Sequence, residues 1–228
     1  MAFNGLSLAC SPGHVMTPRS ASEQLVARAS TRLAGRAARV ADVGTGTGAI
    51  AIALARARPE VEVWATDTSR RACVLARDNV RLNGLADSVF VEHGDLLEPV
   101  PGPLDLIVAN LPYLAASTAP QHPDLRGEPF DAVFAPGEGL DPYRRLVAAA
   151  AGRLTPDGAL LLQLRRRVVV STRDELPELR HALGPLSRAA VRSALDRACR
   201  SREPARRPDR LSRSWSASGS RLAPPAGR

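Results

Sequence analysis

Two short stretches hold residue types able to do chemistry on a small ligand. The first is VADVGTGTGAIAIALA, in which an apolar run leads through Gly44, Thr45, Gly46, Thr47 and Gly48 into a helical pattern. Glycines at such a junction let the backbone turn sharply and let a ligand lie against it at the start of the helix. The second is IVANLPYLA, where Asn110, Leu111, Pro112 and Tyr113 follow an apolar run at once. A planar amide, a rigid ring and an aromatic at one strand end form a cradle for a planar NH2 group. The Asn110 side-chain oxygen and the Leu111 carbonyl can accept its two N–H bonds, Pro112 fixes the backbone, and the Tyr113 ring can stack on the plane.

The ligand on the glycine side is read from acids. The spacing Gly44-x-Gly46-x-x-Ala49 also fits a relaxed dinucleotide fingerprint. Asp42 shifts the balance, because a carboxylate there repels a pyrophosphate and attracts an ammonium, which suits the amino-acid end of S-adenosylmethionine (SAM). Asp67 closes the next strand and can accept both ribose hydroxyls. Asp95 follows VFVE within HGDLLE and can reach an adenine amino group, with Leu96 on the ring. Ordinary structural roles compete at each place: a helix cap for Asp67, a turn for Gly94-Asp95, a turn for Asn110 and core filling for Tyr113.

Elements able to position these groups follow from periodicity. From Val40 onward, short β-branched runs alternate with helical stretches, a βαβ pattern that predicts a mainly parallel sheet with helices on both faces. Ser69 before one helix and Gly84 after it read as caps, and Asp141 with Pro142 reads as an N-cap followed by Pro at the first helical position. Ahead of the sheet, Ser20 and Glu23 stand at capping-box spacing, and Leu25, Val26, Ala29 and Leu33 share one face of a covering helix. RRRVVVST reads as a strand and TRDELPELRHAL as a helix.

Composition bounds the rest. With 228 residues and 44% hydrophobic content, the chain is long enough for one sizeable core. The expected division is a hairpin and linker over 1–18, a domain over 19–190, secure to about 164, and an Arg/Ser/Pro-rich disordered tail over 191–228. The net charge of +8 is unevenly spread: residues 1–164 hold 15 Arg against 17 acids, and residues 165–228 hold 16 Arg against 6. Three widely spaced cysteines and four scattered histidines give neither a disulfide framework nor a metal signature. No run of about 18 apolar residues and no signal-peptide pattern is present, so no membrane role and a cytoplasmic location are expected.

Taken in order, GHVMTPRSASEQLV, DVGTGTGAIAIALA, ATDTSRRACVLARDNVRLNG, GDLLEP, IVANLPY, EPFDAVFAPGEGLDPYRRL and PDGALLLQL resemble the HemK-type glutamine N5-methyltransferases that modify peptide-chain release factors. The resemblance covers roughly residues 3–164. It implies an α/β, Rossmann-like class I SAM-dependent methyltransferase sheet, SAM at Gly44 to Gly48, Asp67, Leu96 and Asn110, and an acceptor amide at Asn110 to Tyr113 in a release-factor-like protein. Three departures accompany it. Position 111 is Leu where the family has Asn-Pro-Pro-Tyr, and Asn-Leu-Pro-Tyr also resembles rRNA adenine dimethyltransferases, which makes the exocyclic amino group of a nucleic-acid base the alternative acceptor, held through the Arg-rich C-terminal part. The family's N-terminal helical domain is not in this sequence, and its final strands give way to the Arg-rich segment. A SAM-binding homologue without turnover is the third reading.

Overall fold

A computed structural model describes residues 1–164 and 167–183. The chain opens with a hairpin of β1 (Ala2–Phe3) and β2 (Leu6–Ser7), turned by Asn4 and Gly5, both with positive φ, as a two-residue Asn-Gly turn requires. Then follow α1 (Ser20–Arg32), β3 (Ala38–Val43), α2 (Ala49–Ala57), β4 (Val61–Asp67), α3 (Arg70–Leu82), β5 (Val89–His93) and β6 (Leu104–Ala109). A less regular stretch holds β7 (Leu114–Ala115), 3-10 turns over 116–125, α4 (Phe130–Val133) and β8 (Phe134–Ala135). The described part ends with α5 (Asp141–Ala150), β9 (Leu154–Leu164), β10 (Arg167–Thr172) and α6 (Leu176–Ala182).

The main sheet has the order β10-β9-β6-β3-β4-β5. All pairs are parallel except β10 with β9. The mainly parallel α/β sheet read from the sequence is therefore present, and RVVVST is its antiparallel strand. The chain reverses direction across the sheet at β3, which pairs with β4 on one side and β6 on the other. Loops at the carboxyl ends of strands flanking such a point form a crevice.

Side chains of successive strand residues go to opposite faces, and the core divides accordingly. Val40, Leu106 and Leu161 pack with α1 and α2, whereas Ala41, Ile107 and Leu160 pack with α5 and α6. Each fully buried Leu or Ile contributes about 1.5–3 kcal/mol. Helix α2 is buried at every position from Ala49 to Ala55, so burial rather than amphipathic patterning holds it in place.

Two cap assignments need correction. Helix α1 is preceded by Arg19 with no side-chain cap, and the Glu23 carboxylate accepts instead from the Asn4 N–H of the hairpin at 3.3 Å. Long-range pairing has displaced the capping box. At α5 the cap position is Leu140, and Asp141 lies inside the first turn, where it pairs with Arg144. Ser69 does cap α3, accepting from the Ala72 N–H, and Gly84 follows that helix with φ +67°. No helix among the described residues is long and apolar enough to cross a membrane. The tail expected over 191–228 lies outside the described residues.

Candidate active site

The carboxyl ends of β3, β4, β5 and β6 meet around a cavity of about 640 Å³, within the usual size range of small-molecule sites. The glycine loop forms its floor. The Gly44 and Thr45 N–H groups both donate to the Thr66 carbonyl at 2.9 Å, which ties the loop to the end of β4. Gly44 has φ +73°, and a Cβ there would come within 2.7 Å of Leu111 Cδ2. A Cβ on Gly46, at φ +57°, would meet only Val15 Cγ1 at 3.9 Å. One glycine thus admits a protein neighbour, and the other leaves open space on the cavity side. Thr45 and Thr47 also line the cavity.

Asp42 sits elsewhere than expected. Its carboxylate is fully buried behind the loop and off the cavity wall. Oδ2 accepts from Thr45 Oγ1 at 2.7 Å and from the Ala51 N–H at 3.1 Å, which fastens the loop to the first turn of α2. Oδ1 is buried with no hydrogen-bond partner among the described residues. Burial lifts the pKa to about 6, against the opposing hydrogen bonds from Thr45 and Ala51. Its role is revised from direct contact with an ammonium to support of the loop that would hold one.

Asp67, Asp95 and Leu96 all line the cavity. Asp67 accepts from the Gly46 N–H at 2.9 Å on Oδ2 and from the Ser69 N–H at 2.8 Å on Oδ1. These bonds aim the carboxylate and leave lone pairs for two hydroxyls. Burial raises its pKa, with the two N–H groups acting in the other direction. Leu96 adopts φ +50°, and its carbonyl accepts from Thr66 Oγ1 at 2.8 Å. Asp95 forms an ion pair with Arg145 of α5. Arg145 and Pro142 belong to the cavity wall, and sequence reading gave neither a part in the site.

The Asn-Leu-Pro-Tyr corner is only partly as expected. Asn110, Leu111 and Pro112 line the cavity, whereas Tyr113 is absent from its wall and packs against the core on the α5 side. In place of the stacking role read for it, Tyr113 is half-buried against this core, and Gly139 lies close under the backbone of 113–115. A Cβ on Gly139 would come within 2.7 Å of the Tyr113 carbonyl oxygen. Asn110 Nδ2 donates to Ser22 Oγ at 3.1 Å, and its Oδ1 has no partner among the described residues. The Leu111 carbonyl takes the Tyr143 hydroxyl at 2.8 Å, and that hydroxyl is also 2.7 Å from the Gln163 carbonyl. Burial pushes the Tyr143 pKa well up, so the hydroxyl stays a donor. The Leu111 carbonyl keeps a second lone pair.

Residues 14–18, expected to be linker, and Arg19 form a further part of the wall together with Ser22. This strap is held at both ends. Asn79 of α3 is fully buried and grips Ala9 through the N–H at 2.7 Å and the carbonyl at 3.0 Å, while also donating to the Thr47 carbonyl at 2.9 Å. At the other end Glu128 accepts from the Thr17 N–H at 3.0 Å and pairs with Arg19. Ser22, Asn79, Glu128 and Tyr143 went unnoticed in the sequence, since each acts on a partner at least 32 positions away.

Residues 19–122 match the family model described as Methyltransferase small domain. The chain is 46% identical over 159 residues to a release factor glutamine methyltransferase of Deinococcus radiodurans, across 69% of this chain and 56% of the relative. A protein of the same name from Moorella thermoacetica is 41% identical over 165 residues, across 71% and 58%. The chain thus spans little more than half the length of these relatives. Among solved structures, a ribosomal protein L11 methylase from Lactobacillus delbrueckii subsp. bulgaricus aligns with a TM-score of 0.47 and 27% identity, covering 65% of this chain and 62% of that one.

Proposed function

We propose, from the premise that the chain belongs to the HemK-like methyltransferase family through its methyltransferase small domain, that it transfers a methyl group from SAM to a glutamine side-chain amide of a release-factor-like protein, in the cytoplasm. The observation that carries this reading is the Asn110 side-chain oxygen, without a partner among the described residues, at a cavity whose floor is the glycine loop. The names of the relatives favour glutamine over other planar NH2 groups.

The residues present fit the cofactor. The backbone of Gly44 to Thr47, the Asp67 carboxylate and Leu96 would hold it, whereas Gly48 lies off the cavity wall against Ala76 and Ile52; Oδ1 of Asp42, without a partner among the described residues, leaves the loop a residual negative charge behind the place of a cation. Bound SAM supplies an electrophilic methyl on its sulfonium. Everything else falls to this chain. An amide nitrogen is a poor nucleophile because its lone pair is delocalised, so placement in line with the methyl is the main requirement. Such positioning can contribute about 7–11 kcal/mol. Asn110 Oδ1 accepts one N–H of the acceptor amide and the free lone pair of the Leu111 carbonyl accepts the other. Both draw electron density onto the nitrogen, which loses a proton to water after transfer. No side-chain base is required before that step.

The test is transfer of labelled methyl from SAM to a release factor with its Gly-Gly-Gln loop and, in parallel, to bulk ribosomal RNA, with Asn110→Ala as control. Label on the protein, lost in the variant, is the expected result. Label on RNA alone would make the corner a cradle for a base amino group.

A further inference from the structure

The orientation of one amide decides whether the corner can work at all. Turned one way, Asn110 presents an acceptor oxygen to the cavity; turned the other way, it presents an NH2 that repels the acceptor's own N–H. The acceptor's N–H selects the oxygen, and what remains for the protein is to hold the far end of the amide so that the group lies in the right plane. Here the Nδ2 end donates to Ser22 Oγ at 3.1 Å, from a residue 88 positions earlier in the chain.

Ser22 is an unusual tenant of its position. It is 6% exposed in the first turns of α1, next to the buried face of Leu25, Val26 and Ala29. A hydroxyl buried there is costly unless paired. Thr31 in the same helix turns its hydroxyl back onto the Ala27 carbonyl at 3.0 Å. Ser22 makes no such local bond, and its one side-chain hydrogen bond among the described residues is the one to Asn110. The helix that carries it is packed onto the sheet through Leu25, Val26, Ala29 and Leu33, so the hydroxyl is a fixed point for the amide to lean on.

We propose that Ser22 is a positioning residue for Asn110: its hydroxyl holds the far end of the amide at hydrogen-bond distance and so fixes the plane and rotamer of the group, with the amide oxygen on the side of the acceptor nitrogen. This rests on the methyl-transfer reading above and deepens it. It adds a residue from outside the Asn-Leu-Pro-Tyr motif and gives α1 a part in catalysis beyond covering the sheet.

The experiment compares the parent chain with Ser22→Ala and Ser22→Thr. Side-chain amide resonances of Asn110, assigned by their loss in Asn110→Ala, are recorded by 15N NMR without cofactor or acceptor. Steady-state kcat and KM for SAM are then measured on the release-factor acceptor, with melting temperature as a check on folding. Ser22→Ala is expected to move the Asn110 NH2 resonances and lower kcat about ten- to a hundredfold, the scale of a small misplacement. KM for SAM should stay within about threefold, and Ser22→Thr should restore both resonance and kcat. Unmoved resonances in Ser22→Ala would overturn the proposal, as would moved resonances with parental kcat. If the parent labels no glutamine at all, the methyl-transfer reading fails, while the resonances still decide whether Ser22 holds the amide.

Discussion

The two walls of the cavity are built on different plans. The cofactor wall, from Gly44 to Leu96, sits on strand ends of the parallel sheet and is tied by backbone donors: Gly44 and Thr45 to Thr66, and Gly46 and Ser69 to Asp67. The acceptor wall, formed by Asn110 to Pro112 and the strap over 14–19, has little regular structure. It is held by side chains that reach across the fold: Ser22 to Asn110, Tyr143 to Leu111, and Glu128 to Thr17. A wall made of local backbone geometry can serve any chain that binds the same cofactor. One made of distant side-chain links can vary with the acceptor while the sheet stays the same.

The contact between Gly44 and Leu111 joins the two plans, and breaking it should have the largest effect. Gly44→Ala places a Cβ against Leu111 Cδ2 and forces a non-glycine residue to φ +73°, at about 1–2 kcal/mol for the backbone alone. Calorimetric SAM affinity is expected to fall at least about tenfold. Adding Leu111→Ala should recover the steric part and leave the backbone part, and a double-mutant cycle measures that coupling. Strictly additive losses would separate the walls.

Tyr143→Phe tests the acceptor wall alone. It removes the hydroxyl from which the Leu111 carbonyl accepts, and a buried group that loses its partner costs about 1–3 kcal/mol. Urea denaturation should register that loss, and kcat should fall more than SAM affinity.

On the cofactor wall, Asp42 predicts a pH dependence. Its folded pKa of about 6 lies above the usual carboxylate value, so between about pH 4 and 6 the unfolded chain releases its proton before the folded chain does. The contribution is fully favourable below that window, declines as pH rises through it, and stays unfavourable above. Asp42→Asn removes the decline. The variant should exceed the parent by about 3 kcal/mol at pH 7.5 and match it near pH 4, read from urea midpoints. A constant difference across that range would contradict the assignment.

Arg19→Ala should matter least. The exposed Arg19–Glu128 pair is one of two links that Glu128 makes to the strap. Surface pairs contribute at most about 1 kcal/mol, so melting temperature and SAM affinity should scarcely move. A large loss of affinity would make the strap a more active part of the cofactor wall than its contacts imply.

The same contrast explains what could be read in advance. The parallel strands, the glycine loop and Asp67 follow from runs of β-branched residues and from turns a few residues long, which local sequence records. Ser20 and Glu23 had the spacing of a capping box, yet the hairpin claimed the Glu23 carboxylate. Tyr113 had the chemistry of a stacking ring, yet it packs against the core on the α5 side, off the cavity wall. Asp42 had the charge for an ammonium, but its use by Thr45 and Ala51 depends on how β3 and α2 meet. Ser22 and Tyr143 carry no local mark of their partners.

The most direct test of the account is to locate the transferred methyl. After reaction of the release factor with SAM and the parent chain, tandem mass spectrometry of the peptide containing the Gly-Gly-Gln loop should place one added methyl on the glutamine side chain, and Asn110→Ala should leave the peptide unmodified. A methyl on any other group of the factor, or one still present with the Asn110 variant, would contradict the amide cradle.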